Sequence, residues 1–489
     1  MNCIDYLFEN SAFLSKDLIL GPQETISYKT ISESYLGLAG YLQNEIGTGK
    51  NILLISPNSS FFIIAYLSIL KSGNICIPLN PSIEQNNLDF IIEQTKSGIG
   101  FISESVLKKI NVPVSIISES NYSSLITKPI IEEGKEFTGS RIAEIIYTSG
   151  STSTPKGVVL THDNIIANTN SIIQYLNLKE TDVMQVILPF FYCYGLSLLH
   201  THIRVGGQLV LNNNFMFLAS TINNINKYNC TGFAGVPSHF QILLRKTELF
   251  TNTQFPSLRY VTQAGGKLAN IFIEEFTNAF PSIQFFVMYG QTEATARLSY
   301  LPPELIKEKT GSLGKGIPGV ELRVVNSKGD CVCPGESGEI IARGDNIMLG
   351  YFDDETETSS VLRSGWLHTG DIGTIDEDGY IYLTARKKEI IKIGGKRVSP
   401  KEIEEVINTI PGVIDCTIEA IQDELLTEAI KSTIIVNKIG KQITSEYIQN
   451  YCSSRLSHYK IPSLIIFKES MELNSTGKKV KTNLNNNNK

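Results

Sequence analysis

The sequence has no excess of positive charge: 43 lysines and arginines stand against 49 aspartates and glutamates, a net charge of −6 over 489 residues. No basic field gathers nucleic acid or an anionic membrane surface, so any polyanionic ligand must be held by local groups. Long apolar runs are also missing. The greasiest stretch, Phe61 to Leu70, is about half the length that spans a bilayer. The opening Met-Asn-Cys-Ile-Asp has no basic region leading into an apolar core, so no secretory signal is expected. The eight cysteines are scattered, and the close pair Cys331 and Cys333 has no neighbouring cysteines or histidines to complete a zinc framework. Reduced, structural cysteines in a cytoplasmic protein are the expectation.

What is present is length enough for roughly two to four domains. Ile31 to Leu42 has helical spacing, Asn51–Ile55 reads as a strand, Phe61 to Lys71 as a buried helix and Asn74 to Pro78 as a second strand. That βαβ rhythm implies a mainly parallel sheet covered by helices. A polar connection over 119–140 leads to the strand Ile142–Ile146 and then to Tyr147-Thr-Ser-Gly-Ser-Thr-Ser-Thr-Pro-Lys-Gly157. Every residue from 148 to 154 is Gly, Ser or Thr. Small residues allow close backbone approach, hydroxyls and N–H groups donate, and Lys156 adds charge, which suits a polyphosphate. A hydroxyl-rich surface loop is the alternative. A P-loop is not, because Lys156 precedes Gly157 and Val158–Leu160 reads as a strand.

Two further glycine-bearing turns follow strand patterns: Gln263-Ala-Gly-Gly-Lys267 after Leu258–Val261, and Tyr289-Gly-Gln-Thr-Glu-Ala-Thr295 after Ile283–Met288. Ligands bind at such strand ends in open α/β sheets. Tyr289 offers a flat face for a base, Gly290 clearance, and Glu293 a carboxylate that makes sense at a phosphate site through a cation. By itself Glu293 also fits a solvated surface acid. From 311 to 385 short strands alternate with Gly/Asp turns, which predicts a small β-barrel or strongly twisted sheet. Six basic residues crowd 385–397, a pattern that composition alone assigns to a solvated face. Residues 389–489 read as a small α/β unit, with a helix starting at Pro400 and an Asn-rich tail expected to be disordered.

The 147–157 loop resembles the phosphate loop of the adenylate-forming superfamily: acyl-CoA synthetases, peptide-synthetase adenylation domains and beetle luciferases. LKSGNICIPLNP (70–81), LPFFYCYG (188–195), YGQTEA (289–294), GEIIARGDNIMLGYF (338–352), GWLHTGDIG (365–373), the basic segment 385–397 and NSTGK (474–478) resemble the motifs of that family in its order. The likeness covers about residues 20–483 and is strongest to acyl- and aryl-CoA ligases. Departures are Ser153 for the usual glycine, Tyr192 for a histidine, and no proline ahead of NSTGK.

The resemblance implies an α/β fold. A large N-terminal domain (1–385) would hold two helix-covered, mainly parallel sheets plus a small β-barrel. A hinge (386–388) would lead to a small mobile α/β domain (389–489). ATP would sit on Thr148, Ser149, Gly150, Ser151, Thr152 and Lys156, with Gly265, Tyr289, Gly290, Gln291 and Thr292 around the nucleotide. Asp371, placed in a tight Thr-Gly-Asp turn, would take the ribose hydroxyls, and Arg386 would contact the nucleotide. Mg²⁺ would be held by Glu293 and Thr148. Lys478 is the implied catalytic lysine, acting with Thr292 and Glu293. Tyr192, Cys193, Tyr194, Ala264 and Gly290 would line the acyl pocket and suit a small to medium neutral group. No acid lies between 183 and 203, which disfavours an α-amino acid, since its ammonium would be buried unpaired. Lys388 would be the pivot, and Lys392 and Gly395 the face used in the second step.

The implied activity is conversion of a carboxylic acid to acyl-AMP and transfer to the pantetheine thiol of CoA. Alternatives are an acyl carrier protein as acceptor in trans, and an inactive nucleotide-binding regulator. His200 and His202 read as core or surface histidines, not as a base pair.

Overall fold

The computed structural model describes residues 1–126, 137–148, 155–423, 427–437, 442–471, 473, 474, 477 and 479. The run Asn51–Ile55, buried along nearly its whole length, is an inner strand of a seven-stranded sheet. It pairs in parallel with Ile75–Leu79 and Ile99–Ile102, and Ser115–Ile117 and Ile142–Thr148 extend the sheet on either side. Two antiparallel strands, Lys156–Thr161 and Gly350–Tyr351, complete it. A strand apolar on both faces needs cover on both, and the helix Ser60–Lys71 supplies one layer. Phe61 to Lys71 are all buried, as expected of a helix that is apolar all round. The helix Tyr28–Glu45 packs beside it, started by the Ser27 side chain accepting from the Thr30 amide.

The second sheet has a parallel half made of Asp17–Leu20, Gln208–Leu211, Val183–Val186, Gly232–Gly235, Tyr260–Gln263 and Gln284–Tyr289, in that spatial order. The strands of 312–386, anticipated as a barrel or twisted sheet, are antiparallel. They form an open run continuous with this parallel half. Ser299–Leu301 and Ser312–Gly316 make the join, followed by Ile381–Arg386, Trp366–Ile375, Ser337–Gly344 and Val320–Val325. Consequently one hydrogen-bonded surface carries both the glycine-bearing turn at 289–293 and Asp371.

Residues beyond 390 have a hydrophobic cluster of their own, built on Ile391, Val398, Ile403, Ile418, Ile434 and Ile448. Pro400–Asn408, with proline in its first turn, lies against the long hairpin Val413–Asp423 and Thr427–Val436. This lobe sits on the helix Pro237–Arg245. Gln241 donates to Asp415 Oδ1 (2.8 Å), and the Arg245 guanidinium donates to the carbonyls of Asn408 (2.9 Å) and Val413. Among the described residues no helix is long and apolar enough to cross a membrane.

Under the phosphate-loop strand lies a buried polar chain. The Tyr66 hydroxyl donates to Glu144 Oε2 and is 2.8 Å from His200 Nε2. Removal from water pushes the Glu144 carboxyl up to about 7 and the His200 imidazole down to about 3, so the histidine is neutral at pH 7. Between pH 4.5, the ordinary value, and about 7 the folded state keeps a proton that the unfolded chain has lost. Stability contributed by this group is therefore full below that window and falls as pH rises through it, by about 3 kcal/mol. Glu144→Gln is expected to remove this share of the pH dependence, read as the difference in urea midpoint between pH 5 and pH 8. An equal difference in both proteins would mean that another group titrates.

Candidate active site

Three clusters of side chains meet where the parallel strands of the larger sheet end. In the first, Tyr289 closes the strand Gln284–Tyr289 and its hydroxyl donates to Asp371 Oδ2 (2.7 Å). Arg386 Nε donates to the other oxygen (2.8 Å). Asp371 and Arg386 are direct cross-strand partners, so the sheet register itself creates this ion pair. Asp371 was expected in a tight turn; it lies within the strand Trp366–Ile375 instead. Gly370, at φ +73°, and an Asp371 N–H bond to Thr369 Oγ1 bend that strand locally, which produces the turn-like sequence. Burial, with the Asp371 charge beside it, raises the Tyr289 phenol well above its ordinary value, so it stays a donor.

The second cluster is on the smaller sheet. Lys156 begins the strand Lys156–Thr161, pairs with Glu357 (2.8 Å) and stands 5.5 Å from the centre of the Tyr351 ring. Tyr351, held opposite Val158 in the neighbouring strand, donates its hydroxyl to Glu293 Oε1 (2.8 Å). Lys156 and Glu293, far apart in sequence, are thus linked through one ring. The bond to Lys156 lowers the Glu357 carboxyl, and the Lys388 charge adds to this, which brings Lys388 into the same neighbourhood. Thr148, opposite Lys156, donates to the Lys156 carbonyl at 3.4 Å.

The third cluster joins the helix Cys193–Val205 to the turn Thr292–Ala294 through Cys193 Sγ and Thr292 Oγ1, 3.5 Å apart. Tyr194 bonds through its hydroxyl to Thr262 O (3.0 Å) and Oγ1 (2.8 Å), two residues before Ala264. At Gly290 a Cβ would come within 2.1 Å of the Ala296 carbonyl oxygen, so only glycine lets the two segments meet. Gly265 takes φ +85° just beyond Ala264, and Gln291 accepts from the Ala294 amide as the turn begins. Burial raises the Tyr192 phenol, and its nearest charges include Glu293 and Arg386, so this cluster adjoins the other two. His202, like His200, is a buried, neutral residue of the same helix, its imidazole pushed down to about 4.

Ser149, Gly150, Ser151, Thr152 and Lys478 lie outside the described residues. The neighbours of Lys478 are described. Gly477 O accepts from Ser238 Oγ (2.5 Å) and Lys479 pairs with Asp415 (2.5 Å). Ser238 follows the strand Gly232–Gly235 by three residues, on the edge that also carries Ala264 and Gly290. Lys392 and Gly395 are exposed in a hairpin whose two-residue turn, Gly394-Gly395, has positive φ at both positions. No described hydrogen bond or ion pair joins either of them to the three clusters.

Among the described residues no three His, Cys, Asp or Glu side chains gather as a metal site. Glu293 and Thr148 still fit a hard cation that arrives with phosphate oxygens, because Mg²⁺ needs only one or two protein oxygens beside those of its substrate. Tyr351, Glu357 and Thr262 were not foreseen as site residues. Tyr351 stood inside a family-like motif, but Glu357 carries no local signal.

The chain is similar to known proteins over most of its length. The family model "AMP-binding enzyme" matches residues 9–352, and "AMP-binding enzyme C-terminal domain" matches 402–478. The chain is 30% identical to the oxalate–CoA ligase of Arabidopsis thaliana, covering 88% of this chain and 87% of the relative. It is 27% identical to the long-chain-fatty-acid–CoA ligase of Salmonella typhimurium, covering 96% and 92%. Among solved structures, the anthranilate CoA ligase AuaEII in complex with anthranoyl-AMP has the same fold, with a TM-score of 0.89 and 23% identity over 98% of this chain and 95% of that one.

Loss of the phenol that supports Asp371 is a direct test of the first cluster. Tyr289→Phe leaves one oxygen of a buried carboxylate without its donor and should cost about 1–3 kcal/mol of folding stability. Denaturant unfolding measures it, and a variant as stable as the parent would mean the bond contributes nothing.

Proposed function

Because the chain belongs to the AMP-binding enzyme family of adenylate-forming proteins, we propose that it joins a carboxylic acid to the thiol of coenzyme A through an acyl-adenylate. The observation that carries this reading is the convergence of Lys156, Glu293 and the Asp371–Arg386 pair at one edge, with Gly477, the neighbour of Lys478, held by Ser238 on the same edge.

A carboxylate is a poor electrophile because resonance and charge both discourage attack. In the first step its oxygen attacks the α-phosphorus of ATP, forming the P–O bond of acyl-AMP and releasing pyrophosphate. No group on the protein has to remove a proton. The difficulty is electrostatic, an anion meeting a polyanion, and preorganised cations answer it. Lys156 would exchange its half-exposed partner Glu357 for the β- and γ-phosphates, with the 148–152 loop donating beside it. Asp371, oriented by Tyr289 and Arg386, would accept the ribose hydroxyls, and Arg386 would lie along the nucleotide. Glu293 and Thr148 would hold Mg²⁺, which supplies positive charge to the phosphate oxygens when bound. Lys478 would bridge the substrate carboxylate and the α-phosphate, next to Thr292.

In the second step the thiol sulfur attacks the activated carbonyl and AMP leaves. The lobe beyond residue 388 would swing about Lys388, withdraw Lys478 and bring in Lys392 and Gly395 beside the pantetheine arm. The exposed position of Lys388 and the separate core of the lobe support such a pivot. CoA as acceptor is supported by relatives named CoA ligases. Those names range from oxalate to long-chain fatty acids, so the acid is set by the pocket of this chain.

Two variants separate the steps. Lys478→Ala should slow ATP–pyrophosphate exchange by roughly 10²–10³-fold, the scale of one preorganised donor, with little change in ATP binding. An undiminished rate removes Lys478 from the chemistry. Lys388→Pro should spare exchange but impair thioester formation, followed by mass spectrometry with CoA and a holo-carrier protein offered side by side. Equal loss of both half-reactions would rule out the rotation, and thioester on the carrier alone would replace CoA as the acceptor.

A further inference from the structure

Arg297 is the residue that the reading above leaves without a task. It is 3% exposed, and its guanidinium lies 4.0 Å over the ring of Tyr194. Nε donates to the thioether sulfur of Met288 (3.3 Å) and Nη1 to the adjoining Ala296 carbonyl (3.2 Å). Among the described residues no carboxylate is within ion-pair distance of it. Three other arginines that stack on aromatic rings in this lobe do have one: Arg204 pairs with Glu9, Arg245 with Glu275 and Arg259 with Asp182. A guanidinium has five N–H donors; these contacts use two, one of them on a weak acceptor, and the one further partner seen is the neutral Tyr175 hydroxyl. A buried cation left that way costs several kcal/mol unless an anion arrives.

Its position indicates where such an anion would come from. Gly290 packs against the main chain of residues 296 and 297, and Tyr194 lies beneath the guanidinium, so Arg297 belongs to the same wall as two acyl-pocket residues. Its charge also reaches the Tyr192 phenol. The carbonyl of Arg297 is held from two sides by the amides of Asn168 (3.3 Å) and Asn346 (2.7 Å), which locks the backbone that presents the side chain. The neighbouring wall residues Tyr192, Cys193, Thr262 and Ala264 are themselves neutral, and Glu293, whose charge also reaches Tyr192, is bonded to the Tyr351 hydroxyl.

We propose that Arg297 recognises a second carboxylate on the substrate, so that the acid activated is a dicarboxylic acid. One carboxylate is adenylated while the other stays anionic against the guanidinium, whose planar fork suits a bidentate carboxylate. This rests on the ligase reading and on Tyr192–Tyr194 and Gly290 forming the acyl wall. It replaces the neutral acyl group expected from those residues alone, which omitted a charge seven positions beyond Gly290.

ATP–pyrophosphate exchange with matched acids tests it: malonate, succinate, glutarate and adipate against propionate, butyrate, valerate and hexanoate, and phthalate against benzoate. The parent protein should prefer at least one dicarboxylate to its monocarboxylate partner. In Arg297→Gln, kcat/KM for that dicarboxylate should fall on the order of 100-fold, with the monocarboxylate rate and the KM for ATP held. Arg297→Lys, which keeps the charge, should restore part of the loss. Circular dichroism checks that each variant is folded. Preference for monocarboxylates in the parent, or equal loss of both acid classes in a folded Arg297→Gln, would overturn the assignment and leave the ligase reading intact. Exchange with no acid in the panel would overturn the dicarboxylate assignment; exchange with a long-chain fatty acid would then keep the ligase reading, and exchange with none at all would remove it.

Discussion

A buried carboxylate gripped from two sides holds the site together. Asp371 accepts from Tyr289, which ends the last parallel strand, and from Arg386, which ends a strand of the antiparallel half. Asp371 is almost wholly withdrawn from water while Arg386 is about half exposed, so the bond from Tyr289 is the better shielded of the two and the ion pair the more open to solvent. The two halves of the larger sheet are therefore joined by backbone hydrogen bonds at Ser312–Gly316 and by side chains at the point where a nucleotide would rest. A change in register of one residue would turn Asp371 away from Tyr289 and take the site with it.

Positive charge at this edge is kept in two different states. Lys156 is neutralised by Glu357, a partially exposed acid that is readily replaced by phosphate. Arg297 is deep, fixed through its backbone and without an acid among the described residues. An exposed pair is weak and exchangeable, whereas an interior cation is costly until a ligand balances it. One arrangement suits a polyphosphate that enters and leaves as pyrophosphate. The other suits discrimination between acids, because a misfitting substrate leaves the charge unpaired.

The C-terminal lobe reaches this edge through polar contacts, and its buried apolar cluster is separate from those of the rest of the chain. Arg245 and Gln241 on one helix take main-chain and carboxylate acceptors from 408–415, and Ser238 on the same helix takes Gly477. The lobe's core closes on itself. Polar contacts of this sort can be exchanged for others at little cost in buried apolar area, the condition that the proposed swing about Lys388 requires.

Much of this was open to a reading of residues in order. Strands and helices follow from apolar spacing, and Asn51–Ile55 and the helix start at Pro400 fall where the pattern put them, because burial on both faces or on one stripe leaves a local trace. The glycine-bearing turns and Lys156 are legible for the same reason: close backbone approach demands particular residues within a few positions. Partners across the fold leave no such trace. Nothing near Glu357 indicates that it will meet Lys156, nothing near Tyr351 that its hydroxyl will reach Glu293, and the turn-like Thr-Gly-Asp became part of a strand once Arg386 lay opposite. Arg297 reads as one more arginine until its surroundings are assembled, since burial and the lack of a counter-charge belong to the packed state alone. Sequence by itself determined the family and the layered architecture, both written in local pattern. Only tertiary structure decided which charges are paired and which is left for a ligand, because electrostatic pairing is a matter of distance in space.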